Sequence, residues 1–326
     1  MIVFDKKSLA LLVAWLTLGL LSACGGGGDS SGTTPTPEPV VLKEPDLSAK
    51  LLPDNKLQVV VTPADASSVA GYCVRTDSAT PAASDSCFKT TATQEVASSG
   101  SATAATELRS WTKNSAGSVS FHKTMSVPGK TCSSAAYAAS TASALATACL
   151  ITDKGELVVE LEAVKAPITV KNFLRYVNES FYNGTYFHRV TSSFVAQGGG
   201  FTLNGSSYVK KAATYPAITL ESTTLTGFSN LKNTLAMARG SNADSATTEF
   251  FINVVDNVQL DKSALSGDGY AVFGRLIYGH TPAQTPLQAL EAIAKSPVIT
   301  SSILTSQPEV SQPSTPIALQ WAYQIK

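Results

Sequence analysis

The stretch Phe187-His188-Arg189-Val190, followed by Phe194-Val195-Ala196-Gln197-Gly198-Gly199-Gly200-Phe201, is the richest in side chains suited to chemistry. It sets one arginine and one amide beside several aromatic and apolar residues. No Cys lies nearby and no Ser–His–Asp grouping is evident, so nucleophilic catalysis has no candidate here. The triple Gly lacks the Gly-Lys-Ser/Thr ending and the following helix of a phosphate loop. What remains is an apolar concavity with a fixed cation, which suits binding an apolar group next to a carbonyl oxygen.

The rest of the composition narrows the chemistry. Three His and five scattered Cys argue against a dedicated metal site, because structural zinc sites come as close Cys/His pairs. Lys+Arg and Asp+Glu are 24 each, so no net charge points to a nucleic-acid partner. The 326 residues are enough for about two domains.

The elements that must hold the arginine begin near Leu150. Leu157, Val159 and Leu161 alternate with Val158, Glu160 and Glu162, the pattern of a half-buried strand. Pro167 then sits at a first helical position, and Val170, Phe173, Leu174 and Val177 form one apolar stripe. A second helix is predicted from Thr285-Pro286, with Leu287, Leu290 and Ala294 inward. Ile317, Leu319, Trp321, Tyr323 and Ile325 alternate as a final strand. Two helices and about eight short strands predict a mainly β protein whose C-terminal part is a closed antiparallel barrel with helices over its ends.

The N-terminus reads as an address. Lys6 and Lys7 precede the apolar segment Leu9 to Leu21, too short to cross a bilayer. Leu21-Ser22-Ala23-Cys24 resembles the lipobox of bacterial lipoproteins, which implies cleavage after residue 23 and lipidation of Cys24. Gly rather than Asp at position 25 implies an outer-membrane location facing the periplasm. Residues 24–39 then form a tether; from Gly25 onward all but Asp29 and Glu38 are Gly, Ser, Thr or Pro.

Residues 40–128 read as a small β-sandwich. Leu57 to Val61, Tyr72-Cys73-Val74, Leu108 to Trp111 and Val119-Ser120-Phe121 are its candidate strands. The run Trp111 to Ser120 resembles the closing hairpin of bacterial Ig-like or fibronectin-type repeats. His122 has no chemical partner in sequence and reads as a surface or packing residue. Residues 129–149, rich in Ala and Ser, read as a connector, either a short helix or a loop. Apart from Cys24 the cysteines number four, and an exported chain oxidises them. Three connectivities are open; short-loop closure favours Cys73–Cys87 and Cys132–Cys149.

The arginine stretch resembles the cyclophilins, the barrel-fold peptidyl-prolyl cis–trans isomerases, and most of all their periplasmic bacterial branch. Three further motifs continue the resemblance across residues 150–326: Asn233 to Arg239, Ser245 to Asn253, and Gly269 to Gly274. The resemblance implies Arg189 and Gln197 as catalytic residues. It implies substrate contacts from His188, Phe194, Val195, Ala238, Arg239, Gly240, Glu249, Phe251, Leu260 and Tyr270. Rotation about the amide breaks no bond, so no cofactor or metal is implied. The partners implied are proline-containing polypeptides of the cell envelope.

Two positions leave the family pattern. Glu249 stands where the third motif usually begins with Gln, and Gln259 where an aromatic usually forms the pocket rim. The expectation is that the Glu249 carboxylate lies within reach of Arg189 and competes with the substrate carbonyl. These departures keep open a non-catalytic proline-peptide-binding module as the alternative function.

Overall fold

The computed structural model describes residues 42–263, 267–280, 288–301, 303 and 309–326. The predicted export signal, Cys24 and the predicted tether lie outside them, as do Thr285, Pro286 and Leu287 at the predicted start of the second helix.

Strands β1 (Asp46–Leu52) and β2 (Lys56–Thr62) form a hairpin through Asp54 and Asn55, whose φ values are 57° and 61°. Two successive left-handed residues give the turn a twist that matches the strands, and Asp and Asn tolerate that conformation. With β3 (Gly71–Arg75), β4 (Thr93–Ala97), β5 (Thr106–Lys113) and β6 (Lys123–Val127) the chain builds two three-stranded sheets, β1-β2-β4 and β3-β5-β6. Leu57, Val59 and Val61 of one sheet share a core with Val74, Leu108 and Val127 of the other. The period-two pattern of β2 is therefore the pattern of one buried face.

The predicted strand at Val119-Ser120-Phe121 shrinks to a single antiparallel bridge between Val119 and Lys113; the ladder partner of β5 begins at Lys123. Asn114 closes a tight loop, accepting the Ser118 N–H on its side chain at 2.8 Å. The Ser120 hydroxyl then accepts the Thr112 N–H at 2.9 Å, in place of a backbone carbonyl. That side-chain bond interrupts the ladder, and Phe121 turns outward.

Helix α1 (Ser134–Ala142) occupies the Ala-rich connector, with the Ser133 hydroxyl accepting the Ala136 N–H at its start. Strand β7 (Ala146–Thr152) begins inside the predicted connector, so the barrel starts before residue 150. Its first residues are Ala, Thr and Cys, small enough to hide a strand in a helix-like composition. β8 (Gly155–Leu161), helix α2 (Pro167–Asn178), β9 (Thr185–Val190), β10 (Val195–Gly198), β11 (Phe201–Asn204) and β12 (Ser207–Lys210) follow. Then come α3 (Thr223–Thr226), β13 (Thr234–Met237), β14 (Phe250–Asn253), β15 (Val272–His280), α4 (Gln288–Ala294), β16 (Val298–Thr300), β17 (Val310–Pro313) and β18 (Ile317–Gln324).

Eight of these strands close a barrel in the order β10-β14-β13-β15-β8-β7-β18-β9. Every neighbouring pair is antiparallel. Val170, Phe173 and Val177 of α2 and Leu290, Ile293 and Ala294 of α4 enter the same core as Phe187, Phe250 and Phe273. The predicted architecture is thus the observed one.

Part of the barrel's outer surface is also covered. Ile151, Val158, Tyr278, Trp321 and Tyr323 pack with Cys132 and Ala136 of the connector, and Leu51 of β1 packs against them. The Trp321 indole N–H donates to the Ser101 carbonyl at 2.9 Å, and the Asn55 N–H donates to the Thr131 hydroxyl at 2.7 Å. Disulfides join Cys73 to Cys87 and Cys132 to Cys149.

Candidate active site

A bulge between β9 and β10 turns the arginine toward solvent. Val190 pairs with Ala196, Arg189 with Gln197, and Phe187 with Gly198, so His188 is an extra residue on β9. Phe187 and Val190 both reach the core. The two side chains between them therefore both leave on the outer face, which simple alternation would forbid.

The register then draws one row across five strands. Arg189 lies opposite Gln197, Gln197 opposite Phe251, Phe251 opposite Ala236, and Ala236 opposite Val272. Val195, Ala236, Phe251 and Val272 form a buried apolar floor, with Phe194, Phe228, Ala238, Leu260 and Tyr270 packed around it. Above this floor is a cavity of about 330 Å³, lined by Arg189, Gln197, Arg239 and six apolar or aromatic residues of the predicted set: Phe194, Val195, Ala238, Phe251, Leu260 and Tyr270. The arginine, the amide and the apolar floor expected from sequence thus meet in one place.

The rim is held by backbone bonds. The Phe194 carbonyl accepts the Val254 N–H and the Asn257 side-chain amide, both at 2.9 Å. The Tyr270 N–H donates to the Leu260 carbonyl at 3.0 Å, joining two sides of the cavity mouth. The Tyr270 ring meets the Phe251 ring edge-on at 5.6 Å, and the Arg239 guanidinium lies 4.9 Å from the Tyr270 ring centre. Arg239 Nε also donates to the Gly269 carbonyl at 2.8 Å. Gly269 has φ +68°, and a Cβ there would lie 2.4 Å from the Lys262 nitrogen, so no other residue fits this corner.

Three predicted contacts lie outside the cavity lining. His188 is buried with its ring 4.4 Å from Phe201 and its Nε2 3.3 Å from Glu249. The Gly240 N–H is already taken by the Ser245 hydroxyl at 2.9 Å, and its carbonyl by Arg239. Its backbone is therefore spent on its own loop. Glu249 packs against Gly200, where a Cβ would come within 2.2 Å of the Glu249 Cγ.

The Glu249 carboxylate does not reach Arg189, contrary to expectation. It accepts the Gln197 amide at 3.0 Å and lies 3.3 Å from His188 Nε2 and 3.4 Å from Lys210 Nζ. Burial alone would raise its pKa. The bond and charge of His188, with help from Gln197 and Lys210, outweigh that and hold it at about 2. Three donors around the carboxylate leave it no reason to cross to the arginine.

Arg189 has a different partner. Its Nε and Nη2 donate to the Glu309 carboxylate at 2.8 and 3.0 Å, and its guanidinium carbon lies 5.3 Å from the Phe194 ring centre. Sequence reading missed Glu309, which is 120 residues away and outside every motif. It also gave no role to Ala236 and Val272, although both stand inside quoted motifs. Their alternation with core residues was the available signal. Gln259, at the predicted rim, is exposed and donates to Asn257 at 3.1 Å, outside the cavity lining.

An outward groove on a closed barrel, pairing a cation and an amide with an apolar floor, has the makeup of a binding site: mostly apolar, with a few placed polar groups. Residues 147–311 match the family described as cyclophilin type peptidyl-prolyl cis-trans isomerase/CLD. The chain is 43% identical over 177 residues to peptidyl-prolyl cis-trans isomerase A of Dickeya dadantii, an alignment covering 54% of this chain and 83% of that protein. It is 44% identical over 169 residues to a peptidyl-prolyl cis-trans isomerase of Acinetobacter baylyi, covering 52% and 81%. With peptidyl-prolyl cis-trans isomerase B of Escherichia coli it shares 47% over 130 residues, covering 39% and 76%. The chain belongs to the cyclophilin-type peptidyl-prolyl cis–trans isomerases, a family that proline-containing peptide substrates fit.

Proposed function

We propose that this isomerase is lipid-anchored in the cell envelope and acts on Xaa-Pro bonds of exported proteins, with Arg189 and Gln197 as its catalytic residues. The observation that carries the catalytic assignment is the register row, which sets Arg189 and Gln197 against the floor of Val195, Ala236, Phe251 and Val272.

The uncatalysed bond turns slowly because C–N resonance imposes a barrier of about 18–20 kcal/mol. Lowering tens of seconds to milliseconds takes about four decades, roughly 5–6 kcal/mol. Burying the three ring methylenes of a proline contributes about 2–3 kcal/mol. That term acts on the planar and the twisted amide alike, so it tightens binding without accelerating rotation. The acceleration must come from a bond made better in the twisted state. Arg189 supplies it by donating to the prolyl carbonyl and toward the nitrogen lone pair that twisting releases. Gln197 orients the peptide beside it, and Phe194, Leu260 and Tyr270 wall the ring.

The envelope assignment rests on Cys24 in its lipobox-like setting and the polar tether that follows. The pairs Cys73–Cys87 and Cys132–Cys149 suit an oxidising compartment. Residues 40–128 serve in this reading as an Ig-like spacer that holds the barrel off the membrane. Fractionation of cells carrying Cys24→Ser tests the anchor. The variant is expected in the soluble periplasmic fraction, and its recovery with membranes would refute the lipid attachment. A proline-isomerisation assay on the same soluble variant tests the groove.

A further inference from the structure

We infer that Glu309 is the positioning residue of Arg189, an inference that rests on the isomerase reading of the groove. The carboxylate grips the guanidinium by its Nε and Nη2 edge, at 2.8 and 3.0 Å, in the two-point geometry that fixes a guanidinium plane. The partners are 24% and 33% exposed, so the pair is neither fully dry nor freely solvated. Glu309 is itself anchored: its carbonyl accepts the Ser301 N–H at 2.8 Å, and β17 starts at the next residue.

Two observations separate positioning from competition. The cavity lining takes in Arg189 but not Glu309, so the carboxylate stands off the substrate space. Among the described residues Nη1 takes no hydrogen-bond partner, so one edge of the fork remains for a carbonyl oxygen while the other is held. Phe194 lies 5.3 Å from the guanidinium carbon and limits its swing. A long arginine stem loses much rotamer freedom when its head is fixed. Here Glu309 and Phe194 fix it before substrate arrives, which is how preorganisation lowers a barrier. The carboxylate offsets part of the positive charge but leaves the Nη1 donors in place.

The test uses the full chain and a short Ala-Pro peptide. Glu309→Ala is expected to lower kcat about tenfold with KM within about twofold, because the loss falls on the twisted state. Glu309→Gln keeps the shape and one acceptor, and is expected to fall between the parent and Glu309→Ala. In an Arg189→Ala background, Glu309→Ala is expected to change nothing further. A merely structural role would act equally in both backgrounds. The Arg189 Nε–H resonance should exchange slowly with solvent in the parent and quickly in Glu309→Ala. A kcat equal to or above the parent's in Glu309→Ala overturns the inference, as does an equal loss in the Arg189→Ala background. If Glu309→Ala does not fold, parental kcat in the isosteric Glu309→Gln, with fast Nε–H exchange, overturns it instead. Arg189-dependent turnover that ignores Glu309 removes this inference alone. Absence of turnover in the parent removes the isomerase reading and this inference with it.

Discussion

The Glu249 carboxylate takes the Gln197 amide N–H at 3.0 Å and leaves Arg189 to Glu309. This bond decides which way the Gln197 carboxamide faces. Its NH₂ end is turned to Glu249, so its oxygen is the end offered to the groove. Glu249→Ala removes that constraint and is expected to lower kcat/KM about tenfold, equivalent to about 1.4 kcal/mol. Glu249→Gln keeps an acceptor for Gln197 and is expected to stay within about threefold of the parent. Exchange kinetics on an Ala-Pro peptide check both. A several-fold gain in Glu249→Gln would show that the carboxylate competes for Arg189 after all.

The same carboxylate sets an acid window. Its folded pKa is lowered from 4.5 to about 2, so the native state favours the ionised form. A depressed carboxylate contributes stability that is complete above its unfolded pKa and is lost as pH falls through the folded value. The melting temperature of the parent should therefore drop toward that of Glu249→Gln between about pH 4.5 and pH 2. Above that window Glu249 does not change charge, so acidification from pH 8 to pH 5 should not raise activity through it. A parent and variant whose melting curves stay parallel across the window would contradict the assigned shift.

Arg189→Ala is expected to cost at least about 100-fold in kcat/KM, the order found when one preorganised donor is removed. Circular dichroism should be unchanged, because the side chain leaves the barrel on its outer face. Arg189→Lys is expected to restore little, since an ammonium cannot hold Glu309 with one edge and substrate with another. Near-parental turnover in either variant would take the chemistry away from this residue.

A chain starting at residue 150 is expected to fold poorly, although the family motifs lie beyond that point. The cut falls inside β7 and removes Cys149, the partner of Cys132. It also strips Leu51, Cys132 and Ala136 from Ile151, Val158, Trp321 and Tyr323. Exposing such a cluster on a barrel wall predicts aggregation or a markedly lower melting temperature. A chain starting at residue 42 keeps the cover and should melt like the full chain. Equal melting temperatures for the two chains would mean that the N-terminal sheets contribute nothing to the barrel.

Local order decided much of this protein before any fold was in view. The stripe of Val170, Phe173 and Val177 and the alternation of Ile317 to Tyr323 are set by periods of 3.6 and 2, which are properties of the backbone itself. Four motifs in order carried the family resemblance, and Arg189, Gln197, Phe194 and Phe251 fell into one groove as that resemblance implied. The strand start at Ala146 was hidden because small residues carry no hydrophobic signal, and the Ser120 hydroxyl broke a ladder that alternation alone would continue. The carboxylate partners were beyond reach for a different reason. Which donor a buried carboxylate meets depends on a few ångströms between segments far apart in sequence, and charge alone does not rank Arg189 above His188, Gln197 or Lys210. The β9 bulge put Arg189 beside Glu309, and the Gly200 backbone let Glu249 settle against Gln197. Residue types determined that a cation, an amide and two carboxylates would be present; only packing in three dimensions decided which carboxylate serves which group.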